Sequence, residues 1–189
     1  KRRKDVANEM TQRTPLTVFL TGASSGLGKT IAAALIKAGH KVFGLVDTTQ
    51  AAHDLRGLGG VAVYADLHRA SELQAVMQLA KADVVINAQP QQFNDAPFTR
   101  VDFDGEAYVS QSKALALAAK AVGVKFIVHL SFAWAYGDQH GAVVDESYKP
   151  NKSDAPTVKA AVDAENAILK GQVPSAVLRL GFVYGGGSA

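Results

Sequence analysis

The sequence predicts an α/β domain built on a doubly wound parallel sheet, and three observations carry that prediction. Short β-branched runs alternate with longer Ala-rich segments along the chain. The runs are near-continuously apolar rather than alternating, which suits strands covered by helices on both faces. A glycine-rich turn joins the first run to the first helical segment, as doubly wound folds require where a ligand meets the sheet. Six such runs with helical or looped crossovers give an expected strand order of 3-2-1-4-5-6.

The elements follow in order. "LTVFL" (16–20) opens the sheet, and "GLGKTIAAALIKAGH" (26–40) places Ile31, Ala34, Leu35 and Ala38 at helical spacing before Gly39 stops the helix. "KVFGLV" (41–46) and "VAVYA" (61–65) are the next strands, and the helical "ASELQAVMQLAK" (70–81) leads into "DVVINA" (83–88). A long helical stretch, "GEAYVSQSKALALAAKAVG" (105–123), precedes "VKFIVHLSF" (124–132). "TVKAAVDAENAILKG" (157–171) precedes the last strand, "SAVLRLGFV" (175–183). No fixed-period repeat and no low-complexity segment interrupts the pattern.

A chain of 189 residues, 48% hydrophobic and 20% charged, has enough apolar surface for one core, so about one domain is expected. The net charge of +3 owes four positive charges to the head "KRRK", without which the balance turns slightly negative. The basic character therefore describes a flexible tail over residues 1–14 and not a nucleic-acid-binding face. The folded unit is expected over 15–189. Absence of cysteine excludes disulfides, thiolate zinc sites and cysteine nucleophiles. No apolar run approaches the roughly 18 residues of a membrane span, and no apolar region follows the basic head. The expectation is a protein of the cytoplasm or an organellar matrix, without a transmembrane segment or secretory signal. The five histidines (40, 53, 68, 129 and 140) show no paired metal spacing, so no metal is expected, and His129 reads as a satisfied core residue.

"TGASSGLGKT" (21–30) carries the chemistry. Gly22, Gly26 and Gly28 let the backbone turn tightly and approach a pyrophosphate, while the helix N-terminus offers free N–H groups and the positive end of its dipole. The alternative is a tight strand-to-helix turn without a ligand. The ending "GKT" also nearly matches a phosphate loop of ATP- or GTP-hydrolysing proteins, but their first glycine would fall on Ala23, and "DVVINA" ends in Asn87 where a magnesium-binding Asp is wanted. Asp47 decides between these readings. It follows the second strand 19 residues after Gly28, where a carboxylate can accept both ribose hydroxyls of an adenosine and would repel a 2′-phosphate, favouring NAD over NADP.

These residues resemble the short-chain dehydrogenase/reductase superfamily, and their order is similar to its extended branch, the NAD-dependent epimerases and dehydratases. "TGASSGLG" resembles the cofactor loop, although Gly-x-x-x-Gly-x-Gly is the spacing of the short branch. "YADL" (64–67) resembles the Asp-Leu pair placed against the adenine, and "ADVVINAQP" (82–90) the strand-four motif beside the cofactor ribose. "LRLGFVYGGG" (178–187) is similar to the sixth strand, whose end touches the nicotinamide. The resemblance spans about residues 15–187 and implies a Rossmann-type fold that binds NAD. Its contacts would be Gly22, Ser24, Ser25, Gly26, Leu27, Gly28, Asp47, Asp66, Leu67, Asn87, Ala88, Gln89 and Lys159.

In that family, chemistry needs a Tyr and a Lys four apart on one helix face and a Ser or Thr at the end of strand five. Counting back five from Gly137, in "SFAWAYG", lands on Phe132, with Ser131 one step earlier and so on the opposite face of a strand. Counting back four from Lys159 lands on Ala155. A second register, Tyr148 and Lys152, has Pro150 between them, which opposes a helix at about 3 kcal/mol. Ser153 or Asp154 is the expected N-cap, with Pro156 in the first turn, so the helix starts after Tyr148. Lys159 remains as a cofactor-ribose candidate, and Ser131 as a ligand-holding hydroxyl or a backbone-bonded core residue. Trp134 and Tyr136 either line the cleft or pack on the sheet.

The resemblance also implies a smaller substrate-binding lobe beyond "VYGGGSA", which these 189 residues do not include. Two readings follow. One is an epimerase/dehydratase-like member whose Ser and Tyr positions are Phe132 and Ala155, with impaired or rearranged chemistry on a small-molecule substrate. The other is a non-catalytic subunit that keeps the dinucleotide within a protein assembly.

Overall fold

The computed structural model of the chain describes residues 14–89, 104–150 and 155–181. Residues 1–13 of the expected tail, Lys152, the cap candidates Ser153 and Asp154, and the end of the last strand's motif (182–189) lie outside the described residues.

Strands β1 (Thr17–Thr21), β2 (Lys41–Leu45), β3 (Val61–Val63), β4 (Val84–Asn87), β5 (Phe126–Phe132) and β6 (Ser175–Leu180) form one sheet in the order β3-β2-β1-β4-β5-β6. Every pairing is parallel. Helices α1 (Gly26–Lys37), α2 (Thr49–Gly57), α3 (Ala70–Ala80), α4 (Gly105–Val122) and α5 (Pro156–Leu169) make the crossovers, and a 3-10 turn, Ala133–Tyr136, follows β5. This is the doubly wound, Rossmann-type arrangement that the sequence predicts, with the strand order reversing between β1 and β4 at the edge where such folds bind ligands.

Local chemistry sets the element ends. Ser25 caps α1 by accepting from the Gly28 N–H, Thr48 caps α2 through the Ala51 N–H, and Asp104 caps α4 through the Ala107 N–H. Gly123 closes α4 in the left-handed conformation (φ +78°). Helix α5 differs from expectation. Its cap residue is Ala155, which makes no side-chain cap bond, and Pro156 is the first helical residue, where a missing N–H removes a donor that would have no intrahelical partner.

Helix α2 fills a crossover that the sequence leaves open between helix and loop; its segment is polar on average, and Ala51, Ala52 and Leu55 form its buried side. In α1 the buried residues are Gly28 and Ala32, with Ile31 and Leu35 half-buried, while Ala34 and Ala38 are exposed. Ile31 and Leu35 pack against the core beside Ala32, while Gly28 lies against the preceding loop.

One core cluster includes Phe19, Leu73, Met77, Val85, Leu115 and Ile127, and a second includes Leu20, Val42, Leu55, Leu130 and Phe132. Each such side chain contributes about 1.5–3 kcal/mol by leaving water. Truncating Ile127, a wholly buried residue of β5, to alanine would cost about 2–5 kcal/mol through transfer and cavity terms. No helix of the described residues is long and apolar enough to cross a membrane.

Candidate functional site

The carboxyl ends of β1, β4 and β2 converge on the glycine loop. Gly22 has a φ of +68°, and a Cβ there would lie 2.7 Å from the Ala88 carbonyl oxygen, so both conformation and the approach of β4 require glycine. A Cβ on Gly28 would lie 2.0 Å from the Gly22 carbonyl oxygen. The loop therefore folds tightly onto the first turn of α1, and a side chain at either glycine would open it. Ser25 fixes this shape, donating from Oγ to the Gly22 carbonyl (2.8 Å) while accepting from the Gly28 N–H (2.9 Å). First-turn amides have no intrahelical acceptor. With the Gly28 amide engaged by Ser25, those of Gly26 and Leu27 are the ones available to an anion at the positive end of the helix.

Ser24, the neighbouring serine, does something different. Its Oγ donates to Oδ1 of Asp47, just beyond β2, at 2.7 Å, while the Asp47 N–H approaches the same Oγ at 3.4 Å. Asp47 is exposed, so its carboxylate stands at the mouth of the loop. Lys29, of the "GKT" ending, turns away: its Nζ pairs with Asp54 of α2 at 2.7 Å. That bond, followed by one from Gln50, holds the Asp54 carboxyl below its ordinary value.

The other cofactor candidates divide. Ala88 is buried against Gly22, and Gln89 beside it is half-buried. Asp66 is exposed and organises the turn before α3, accepting from the His68 N–H at 2.9 Å and pairing with Arg69 at 3.4 Å; Leu67 packs against the core. Asn87 points inward. Its Oδ1 accepts from Thr21 Oγ1 (2.6 Å), so its Nδ2 must donate to His129 Nδ1 (2.9 Å). That assignment leaves the His129 proton on Nε2, facing Tyr108 Oη at 3.1 Å. Thr21, Asn87 and His129 occupy one rung of the sheet, since Thr21 is in register with Asn87 and Asn87 with His129. Burial lowers the His129 pKa to about 4, and burial followed by the Glu165 charge raises that of Tyr108.

The end of β5 holds a second polar cluster, invisible to spacing rules. Ser131 Oγ is not backbone-bonded; it donates to Glu165 Oε1 of α5 at 2.5 Å. Arg179 of β6 grips the same carboxylate with two bonds, Nε to Oε1 at 3.0 Å and Nη2 to Oε2 at 2.8 Å, and lies over the Tyr136 ring at 4.7 Å. The bond to Glu165 is the main cause of a raised Arg179 pKa. Phe132, one residue on, points to the opposite face and belongs to the apolar cluster with Leu20 and Ala88. The sequence signal for Arg179 is a lone charge in an apolar strand, whereas Glu165 is one of three charges on its helix.

Lys159 and Tyr148 lie on other elements, α5 and the segment before it. Lys159 is exposed and lines a groove between α4 and α5 with Asp104, Ser110, Lys113 and Asp163. The buried residues of α5 are Ala160, Ala161, Ala164, Glu165 and Ile168, and Lys159 itself is exposed. Ala155, four residues earlier, is the extended cap and not part of the helical face. Tyr148 sits in a turn, 41% exposed, with its N–H bonded to the Asp145 carbonyl. Among the described residues no group of three His, Cys, Asp or Glu side chains could hold a metal ion.

Comparison with known proteins matches residues 18–188 to the model of the NAD dependent epimerase/dehydratase family. A 3-diazoavenalumate denitrifying reductase from a Streptomyces species is 29% identical over 185 residues, covering 92% of this chain and 58% of the relative. A 4-hydroxy-2-methyl-3-oxo-4-farnesyl-3,4-dihydroquinoline-1-oxide ketoreductase from Stigmatella aurantiaca is 27% identical over 175 residues, covering 90% of this chain and 51% of the relative. Among solved structures, the Bordetella bronchiseptica enzyme WbmH in complex with NAD+ superposes with a TM-score of 0.69 at 17% identity, over 89% of this chain and 57% of that one. The chain thus spans little more than half the length of the curated relatives it matches.

Proposed function

This chain belongs to the NAD-dependent epimerase/dehydratase family, and from that premise we propose that it holds NAD along the carboxyl ends of β1, β2 and β4 and serves hydride transfer with altered acid-base equipment. The observation that carries the reading is the glycine loop with Asp47 standing 2.7 Å from Ser24 at its mouth. The donor set fits the dinucleotide: amides of Gly26 and Leu27 at a helix N-terminus suit the pyrophosphate, and an exposed carboxylate suits the adenosine ribose. When bound, NAD supplies a nicotinamide carbon that accepts or returns hydride.

The chain's own residues prepare that event unevenly. Gly22 and Gly28 bring the backbone close, and Asp47 orients the adenosine end. At the strand-five position where the family keeps a hydroxyl, Phe132 excludes water but cannot move a proton. Ser131, its neighbour, is committed to Glu165. Ala155 offers no phenol. The substrate class is a small molecule with a hydroxyl or carbonyl carbon, and its proton must come from a group other than Phe132 and Ala155. The two relatives named as reductases favour an oxidoreductase over a carbohydrate isomerase.

Calorimetric and thermal-shift titrations with NAD, NADH, NADP and ATP test the reading. At 100-fold excess over Kd, NAD stabilises by about 2.7 kcal/mol, a rise of roughly 5–11 °C for a chain of this size. No shift with any dinucleotide would sink the proposal; a response to ATP alone would restore the phosphate-loop alternative. Asp47→Ala should weaken NAD by about tenfold or more and tolerate NADP better, since a charge-assisted bond contributes about 1.5–3 kcal/mol.

The commitment of Ser131 to Glu165 favours a second reading, a non-catalytic subunit that keeps NAD as a structural ligand. Preserved NAD binding with no NADH oxidation over a broad panel of carbonyl compounds, measured on the full-length protein, would select it.

A further inference from the structure

We infer that Ser24 is a specificity-determining positioning residue: its hydroxyl pins the Asp47 carboxylate in the pose that accepts an adenosine ribose and rejects a 2′-phosphate. The inference rests on the dinucleotide reading of the loop and goes beyond it by assigning discrimination to a pair of residues instead of one.

Two adjacent serines on this loop have separate tasks. Ser25 is buried and spends its hydroxyl on the loop itself, bonding the Gly22 carbonyl and the Gly28 N–H. Its N–H also bonds the Gly22 carbonyl at 3.0 Å. The segment carrying Ser24 is therefore rigid, and a side chain on it is a fixed peg. Ser24 Oγ reaches from that peg across to β2 and donates to Asp47 Oδ1 at 2.7 Å. No other side-chain bond or ion pair to the Asp47 carboxylate is present among the described residues.

An exposed aspartate held by nothing rotates about two torsions, and a vicinal diol can engage both of its oxygens only in a narrow range of those rotations. The bond from Ser24 occupies one lone pair of Oδ1. It leaves the other lone pair, and all of Oδ2, for the two ribose hydroxyls. The pinned carboxylate also stands where a 2′-phosphate would arrive, whereas a freely rotating one can swing aside. Ser24 thus contributes twice to discrimination, by lowering the ordering cost for NAD and by denying NADP an escape from like-charge repulsion.

The test measures Kd for NAD and NADP by calorimetry on wild type, Ser24→Ala, Ser24→Thr, Asp47→Ala and the Ser24→Ala/Asp47→Ala pair. Ser24→Ala should weaken NAD by about tenfold, leave or improve NADP, and keep the melting midpoint, because removal of a positioning hydroxyl costs about one factor of ten. Ser24→Thr should retain the wild-type preference. In the Asp47→Ala background the Ser24→Ala change should have less than about a twofold effect on NAD, the signature of one residue acting through another. A wild-type preference for NAD that Ser24→Ala leaves intact overturns this inference alone, as does an equal loss in both backgrounds. A wild type that binds neither dinucleotide overturns the reading of the loop, and the inference with it.

Discussion

Replacing His129 with glutamine should flatten the acid limb of this protein's stability curve. His129 is wholly buried, and desolvation lowers its imidazole from 6.5 to about 4 against a weaker, opposite effect of the Glu165 charge. The unfolded chain titrates near its ordinary value, so between pH 6.5 and about 4 the unfolded state binds roughly one more proton at this residue. Stability is therefore complete above that window and falls on acidification by about 1.4 kcal/mol per pH unit, about 3 kcal/mol in all. The carboxyls of Asp54 and Asp83 are held below 3.8 by their bonds to Lys29 and Lys125, so their stabilisation is lost mainly below this window. Urea unfolding of wild type and His129→Gln at intervals from about pH 7.5 to about pH 4.5 reads the difference as converging curves. Parallel curves would refute the argument. Nitrogen NMR of wild type gives an independent check: a doubly protonated His129 near pH 5 would contradict the lowered pKa.

Glu165→Gln should lower unfolding free energy by about 3–5 kcal/mol, because it leaves the Arg179 guanidinium, 15% exposed, without its bidentate partner. Urea midpoints measure that loss, and Glu165→Leu combined with Arg179→Met should recover most of it. Lys159→Ala should change NAD affinity by less than about twofold, since its side chain stands in the groove between α4 and α5; a loss of tenfold or more by calorimetry would restore the ribose contact that its family register implies.

Those parts of the molecule written in local pattern were legible in the sequence, and the rest required partners far along the chain. Strand order, the loop from Gly22 to Gly28 and the placement of Asp47 all follow from apolar runs, glycine spacing and distance from a strand end. Helix α2 escaped because its inner face is only three small or medium residues, Ala51, Ala52 and Leu55, in a polar segment. Ser131 was legible as a hydroxyl, but its partner Glu165 lies 34 residues away on another element. Asn87 looked like a ribose contact from its motif, yet its amide faces into the sheet, where Thr21 and His129 satisfy it. Polar endings on β1 and β4 and a histidine in the middle of β5 were the available sign of that row, and only the register makes it a row.

The Thr21, Asn87, His129 and Tyr108 row also bears on when this chain can finish folding. Its bonds join residues separated by 66, 42 and 21 positions. A nascent chain that has delivered β1 and β4 can close the Thr21–Asn87 bond, but the Asn87 amide stays without its acceptor until β5 arrives. Until then water serves that amide, and the further contribution of a bond made inside the protein, about 0.5–1.5 kcal/mol, is still missing. A shift of any one strand by a single residue would turn its polar member to the opposite face and forfeit that contribution. The row is therefore complete only once the strand bearing His129 has docked in the correct alignment.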